Sequence, residues 1–151
     1  MIDRPWYSHY DDGVPANPEI PDLTLPEFFT RTAERYPDRI ATVFAGKKLR
    51  YREMQLSIHA FAAGLRRTGV QPGERVALML PNVPQYVTAF FGALEAGAIV
   101  VPTNPLYTRP ELEHQLADSG ACAVITLDQL FPRLQPALPG TDVRIVIVAG
   151  I

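Results

Sequence analysis

The hydrophobic pattern changes period most clearly between residues 75 and 107, RVALMLPNVPQYVTAFFGALEAGAIVVPTNPLY. Residues 76–80 are an unbroken apolar run closed by Pro81 and Asn82, the pattern of a short strand buried on both faces. Val83, Tyr86, Val87, Phe90, Phe91 and Leu94 then recur at helical spacing and predict a helix whose inner face carries two adjacent phenylalanines. Asn82 is placed to cap that helix, Pro84 falls in its first turn, where a missing N–H costs little, and Gly97 is placed to end it. Residues 98–101 form a second short apolar run, stopped by Pro102. Strand, crossover helix and strand make one βαβ unit, so the two strands are expected to run parallel.

The alternation extends in both directions. Thr24 and Glu27 fit a capping box with Pro26 in the first turn, and Leu25, Phe28, Phe29 and Ala33 share the predicted inner face of the helix they open. Tyr36-Pro37 stops it. Residues 40–45 and 48–51 read as two short strands around Gly46-Lys47. Tyr51, Met54, Ile58, Phe61, Ala62 and Leu65 predict a helix over 51–68, with Gly69 as its stop. Thr108 and Glu111 fit a second capping box; Leu112 and Leu116 face inward, and Gly120 ends that helix. A third strand is expected at 122–126, then a short helix capped by Asp128 and carrying Leu130, Phe131 and Leu134, then a fourth strand at 143–148. This order predicts an α/β fold of βαβ units with a mostly parallel sheet.

Residues 1–23 break the pattern. Pro5, Pro15, Pro18 and Pro21 interrupt regular structure, while Trp6, Tyr7 and Tyr10 are unusual for a disordered tail. The expectation is an extended arm, 1–23, laid over a folded surface and pinned by those rings, followed by a partial α/β domain, 24–151. The sequence stops directly after a core strand, which points to a sheet completed elsewhere or to a longer protein. A strand edge left unpaired there would also favour self-association.

Composition narrows the partners. The 151 residues are 47% hydrophobic, enough for one domain with a core. A formal net charge of −2 makes no electrostatic case for nucleic acid or an anionic membrane. The single cysteine, Cys122, lies in the apolar run CAVIT, so no internal disulfide forms and a packed thiol in a reducing cytosol is expected. No secretion signal opens the chain. The most apolar stretch, 86–101, is interrupted by Glu95, ended by Pro102 and too short for a transmembrane segment.

Catalytic patterns are missing. The sequence contains no G-x-G-x-x-G, no G-x-x-x-x-G-K-[ST] and no G-x-S-x-G. His9, His59 and His114 lack metal-ligand spacing, and the Glu111-x-x-His114 pair, half of a di-iron pattern, reads better as a solvated helix face. Lys47-Lys48 suits a hairpin tip, and Arg66-Arg67 suits the last turn of a helix. No catalytic, cofactor-binding or metal-binding residue is assigned. One positive signal is left: ligands of open parallel sheets bind beyond the carboxyl ends of the strands. Two strands end in Pro81-Asn82 and Pro102-Thr103-Asn104-Pro105, which makes Asn82 and Asn104 the candidate substrate-binding residues. The plainer alternative, in which Asn82 only caps a helix and Asn104 only fixes a loop, is favoured because Asn is an expected turn residue.

Three stretches carry a resemblance: RPWYSHYDDGVP with IPDLTLPEFF, GVQPGERVALMLPNVPQY, and FFGALEAGAIVVPTNPLYTRPELEHQLADSGA. Together they resemble the amino-terminal portion of bacterial long-chain fatty-acid–CoA ligases, members of the adenylate-forming acyl-CoA synthetase superfamily. The P-G-E-R-V-A-L-x-L-P-N piece is widely shared there; the N-P-L-Y-T-x-x-E-L-E-x-Q-L-x-D-S-G-A piece is narrower. The resemblance implies part of a large amino-terminal domain. It also implies a two-step reaction: ATP with Mg²⁺ adenylates a long-chain fatty acid, and coenzyme A then displaces AMP. The family's phosphate loop, its adenine-contacting motifs, its magnesium-binding acid and its catalytic lysine all fall beyond residue 151. By that reading the chain alone is inactive and holds none of ATP, Mg²⁺ and coenzyme A tightly. Its partners are the remainder of the ligase polypeptide and, in the complete enzyme, the fatty acid. The implied location is the cytoplasm, with a peripheral position at the membrane left open. The alternative is a non-catalytic binding or scaffold module that retains half of the fold. One departure is local: many relatives carry Thr where this chain has Arg50, a lost N-cap of about 1 kcal/mol.

Overall fold

The computed structural model describes residues 4–150; residues 1–3 of the predicted arm and residue 151 lie outside the described residues. Helix α1 (Leu25–Arg35) leads into a hairpin of β1 (Ile40–Phe44) and β2 (Lys47–Arg50), followed by α2 (Tyr51–Arg67). Then come β3 (Arg75–Met79), α3 (Pro84–Glu95), β4 (Ile99–Pro102), α4 (Arg109–Ser119), β5 (Ala121–Leu127), the short α5 (Phe131–Leu134) and β6 (Ile145–Ala149). Strands β3 to β6 form one sheet in the order β4-β3-β5-β6, parallel throughout, while β1 and β2 pair antiparallel apart from it.

The sheet is covered on both faces, which explains its unbroken apolar runs. Val76, Leu78, Ala123 and Ile125 face α2 and α3; Ala77, Met79 and Val124 face α4 and α5. Every residue of β5 is buried. A third cluster, Phe29, Ala33, Met54 and Ile58, joins α1 to α2, with Phe91 packed on it. The Phe29 and Phe91 ring centroids are 4.7 Å apart.

Local chemistry sets the helix starts. The Thr24 amide donates to Glu27 Oε2 at 2.8 Å and the Glu27 amide back to Thr24 Oγ1 at 3.4 Å, which completes that capping box, while at α4 the Thr108 amide and hydroxyl both donate to Glu111 Oε2 at 2.7 Å. At α2 the Arg50 side chain has no acceptor, but its amide still donates to Glu53 Oε2 at 2.7 Å, so half of the box is kept. Gly120 ends α4 in the left-handed region, at φ 59°.

Four expectations are corrected. The face of α3 that is fully buried is Ala89, Gly92, Ala93 and Ala96; Tyr86, Val87, Phe90, Phe91 and Leu94 are only half-buried. The cause is crowding. A Cβ added at Gly92 would lie 2.8 Å from Phe61 Cδ1 and 3.1 Å from the Ile58 carbonyl oxygen, so only small residues let α2 come this close. Leu25 and Phe28, read as inward-facing, are 55% and 56% exposed. Asn82 does not cap α3; Val83 is the N-cap residue and provides no side-chain bond. Asp128 does not cap α5: its Oδ1 accepts from the Gln129 amide at 2.7 Å, and the helix starts beyond Leu130.

The arm is not laid on the domain. Pro5–His9 form a 3₁₀ turn with Pro5 at its first position, and no residue from 4 to 22 is buried. Its rings pack on one another, Trp6 edge-on to Tyr7 at 6.1 Å and Tyr7 against Tyr10 at 5.5 Å. The Arg4 guanidinium donates to the Tyr7 hydroxyl. These local partners replace the tertiary anchoring that three aromatics suggested.

Candidate functional site

A parallel sheet collects the ends of its strands on one rim. Asn82 follows β3, Asn104 follows the neighbouring β4, Asp128 follows β5, and Gly150 follows β6. From β3 the chain leaves over the α2–α3 face, and from the adjacent β5 it leaves over the α4–α5 face. The crevice between these two strand ends is therefore the topological switch point of the sheet, where ligands of such folds bind. Asn82 and Asp128 flank it. Sequence reasoning missed Asp128 as a rim residue because it was read as a helix cap.

The two candidate asparagines differ. Asn104 is exposed, and its Oδ1 accepts from the Leu106 amide at 3.0 Å while its carbonyl accepts from the Tyr107 amide at 3.1 Å, so it holds its own loop. Asn82 is exposed and lines a cleft of about 230 Å³ with Thr42, Phe44 and Tyr86.

A larger cavity, of about 410 Å³, opens between the hairpin, α2, the start of α3, and strands β5 and β6. Phe44, Leu49, Phe61, Ala89, Ile125 and Ile147 make it apolar, and Gln85, Thr88 and Lys47 add polar atoms. Gln85 Nε2 donates to the Gly150 carbonyl at 2.8 Å, while its Oε1 is buried without a partner among the described residues. Three more buried side-chain atoms lack partners there: Thr42 Oγ1, Gln115 Oε1 and Thr126 Oγ1.

The opposite rim is closed. Glu74 Oε2 accepts from Arg144 Nη2 at 2.6 Å and from the Gln71 amide at 2.8 Å, bonds that hold its pKa at about 2. Cys122 Sγ lies 3.6 Å from the same oxygen; burial and the Glu74 charge push the thiol up, which keeps it protonated and a poor nucleophile. His59 Nδ1 lies 2.8 Å from Glu95 Oε2, a hydrogen bond that joins α2 to α3. Among the described residues no group of three or more His, Cys, Asp or Glu side chains converges to hold a metal. With no Gly-rich phosphate cradle either, these residues do not fit ATP with Mg²⁺.

The sequence profile of AMP-binding enzymes matches residues 29–150. The chain belongs to that family. Among curated members it is 46% identical over 130 residues to a long-chain-fatty-acid–CoA ligase of Bacillus subtilis, covering 86% of this chain and 23% of that protein. It is 43% identical over 150 residues to the enzyme of the same description in Yersinia pestis, covering 97% and 26%. The chain thus spans about a quarter of the length of these AMP-binding relatives, in their amino-terminal portion. A solved long-chain-fatty-acid-CoA ligase from Archaeoglobus fulgidus superposes with a TM-score of 0.82 at 28% identity, over 93% of this chain and 30% of that one. A benzoate CoA ligase from Burkholderia xenovorans gives 0.79 at 29% identity, over 84% and 26%. The parallel α/β architecture is that of the amino-terminal domains of acyl-CoA ligases.

Proposed function

We propose that the chain is the amino-terminal portion of a long-chain fatty-acid–CoA ligase. The complete enzyme adenylates a fatty acid with ATP and then passes the acyl group to coenzyme A. The observation that carries this reading is the 46% identity to a protein of that description across 86% of the chain. In this reading the chain is scaffold and substrate-side rim. Asn82, beside the switch point, is the residue offered to the acyl substrate, Asn104 fixes the loop at the neighbouring strand end, and ATP, Mg²⁺ and coenzyme A are held by the remainder of the polypeptide. In this reading the complete enzyme works in the cytoplasm.

Two assays test it. The pure chain, given ATP, Mg²⁺, palmitate and coenzyme A, should release no pyrophosphate or AMP above background, because adenylation needs groups placed at the transferring phosphorus. Grafted into the Bacillus subtilis ligase in place of the matching segment, it should support palmitoyl-CoA formation. A soluble, folded graft that turns over short or aromatic acids but not palmitate would overturn the long-chain assignment.

A further inference from the structure

We propose that Arg133 is a positioning residue for the ligase reaction: together with Gln115 it clamps the loop over residues 102–107, which carries Asn104 at the strand-end rim. The inference rests on the ligase reading above and deepens it by naming what holds the substrate-side rim in place. Pro102 and Pro105 have no N–H to donate, so this stretch cannot be tied down through a backbone ladder. Side chains from two later elements catch its carbonyls instead. Gln115 Nε2 of α4 donates to the Pro102 carbonyl at 3.1 Å, and Arg133 Nη1 of α5 donates to the Pro105 carbonyl at 3.0 Å.

The rest of the loop is fixed from within. The Thr103 amide donates to the Leu78 carbonyl of β3 at 3.0 Å, Asn104 Oδ1 accepts from the Leu106 amide, and Tyr107 packs on the α4–α5 face. Asn104 and Leu106 are left exposed at the rim. The position of Arg133 is what gives its bond a role. The sheet order puts β3 between β4 and β5, so the Arg133–Pro105 contact joins the chain beyond β5 to the chain beyond β4, past the end of β3. Strand β3 borders the switch point, and among the described residues no backbone hydrogen bond joins those two connections. A guanidinium on a carbonyl oxygen is a charge-assisted bond, with the reach and the donors to span them. Reaction geometry is steep: a misplacement of about 1 Å caused far from the chemistry can cost about 10²-fold in rate. Arg133 itself is exposed, so its loss should be felt in catalysis before it is felt in melting.

The test compares Arg133→Met, Arg133→Lys and Gln115→Met. In the 151-residue chain, Arg133→Met should speed hydrogen exchange of the Leu106 and Tyr107 amides about fivefold while the melting temperature holds. In the Bacillus subtilis graft, the same substitution should lower kcat/KM about tenfold, through a raised KM for whichever of palmitate, ATP and coenzyme A meets the loop. Arg133→Lys keeps a cationic donor and should recover most of that loss, and Gln115→Met should act in the same direction as Arg133→Met. Should Arg133→Met fail to fold in the graft, Gln115→Met takes its place with the same expected outcome. Unchanged exchange overturns the clamp. A variant graft that melts lower but keeps the parent graft's kcat and all three KM values overturns the positioning role, and so does one that matches the parent throughout. A folded parent graft without activity refutes the ligase reading, and the role of Arg133 falls with it; an active parent beside an unaltered Arg133→Met graft refutes this inference alone.

Discussion

Two glycines inside helices should respond to alanine with opposite signs. Gly64 in α2 has nothing within 4 Å of an added Cβ, whereas at Gly92 in α3 that Cβ would meet Phe61 Cδ1 at 2.8 Å and the Ile58 carbonyl oxygen at 3.1 Å. Alanine gains about 0.8–1 kcal/mol over glycine in a helix interior, so Gly64→Ala should stabilise by nearly that amount. Gly92→Ala has the same gain but overpacks the α2–α3 contact, at a cost of about 1–3 kcal/mol. Phe61 borders the cavity and can swing aside; Ile58 O belongs to the α2 backbone and cannot. The net should be a loss of about 1 kcal/mol, which leaves the two variants about 2 kcal/mol apart. Urea unfolding followed by circular dichroism measures this directly, provided the variants share one m value. A Gly92→Ala protein as stable as Gly64→Ala would refute the close approach of α2 and α3. Recovery in Gly92→Ala/Phe61→Leu would assign the clash to the ring rather than the backbone.

Thr108→Ala removes the hydroxyl that donates to Glu111 Oε2 at the start of α4 and should cost about 1 kcal/mol in the same assay, with Thr108→Ser restoring most of it. Glu74 has its pKa depressed from 4.5 to about 2 in the folded chain, so its stabilisation is full above pH 4.5 and is lost as the pH falls toward 2. Glu74→Gln should flatten the pH dependence of stability in that window, and an unchanged acid limb would refute the Arg144 pairing as its cause. Asn104→Ala frees the Leu106 amide and should cost about 0.5–1.5 kcal/mol, whereas Asn82→Ala should stay within about 0.5 kcal/mol. In the active graft, a fall in kcat/KM for Asn82→Ala without a change in melting would place Asn82 at the substrate, and an unchanged rate would remove it.

Much of the fold was legible because the signals were local. The Thr24 and Thr108 starts need only residues three apart in the chain, and at both the glutamate closes on the threonine amide as read. The β3–α3–β4 unit was legible from its change of period, and its strands are parallel. What failed needed knowledge of neighbours. Hydrophobicity put Phe90 and Phe91 on the inner face of α3, but a helix held between a sheet and a second helix buries its smallest residues deepest. Asn82 has cap chemistry, yet Val83 occupies the cap position, and one residue of offset removes the bond. The aromatics of the arm were read as tertiary anchors because pattern reading cannot see that Tyr7 serves as partner to both Trp6 and Tyr10.

The two rims of the sheet differ in a way that no single residue type announces. At the amino rim the polar groups answer one another: Arg75 Nε donates to the Ser119 carbonyl at 2.9 Å, Arg144 reaches both Glu74 and the Gly69 carbonyl, and the Gly73 amide donates to the Gly97 carbonyl at 2.8 Å. The buried unpartnered atoms gather toward the other end. Thr126 lies near the end of β5, Gln115 binds the carbonyl of Pro102 at the end of β4, Gln85 binds Gly150, and Thr42 lines the cleft of Asn82. Buried polar atoms are nearly always paired, so each of these calls for a partner, an ordered water included. The closed rim ties the strand starts to their neighbours, and under the ligase reading proposed above the open rim is the side on which the remaining polypeptide and its substrate would approach.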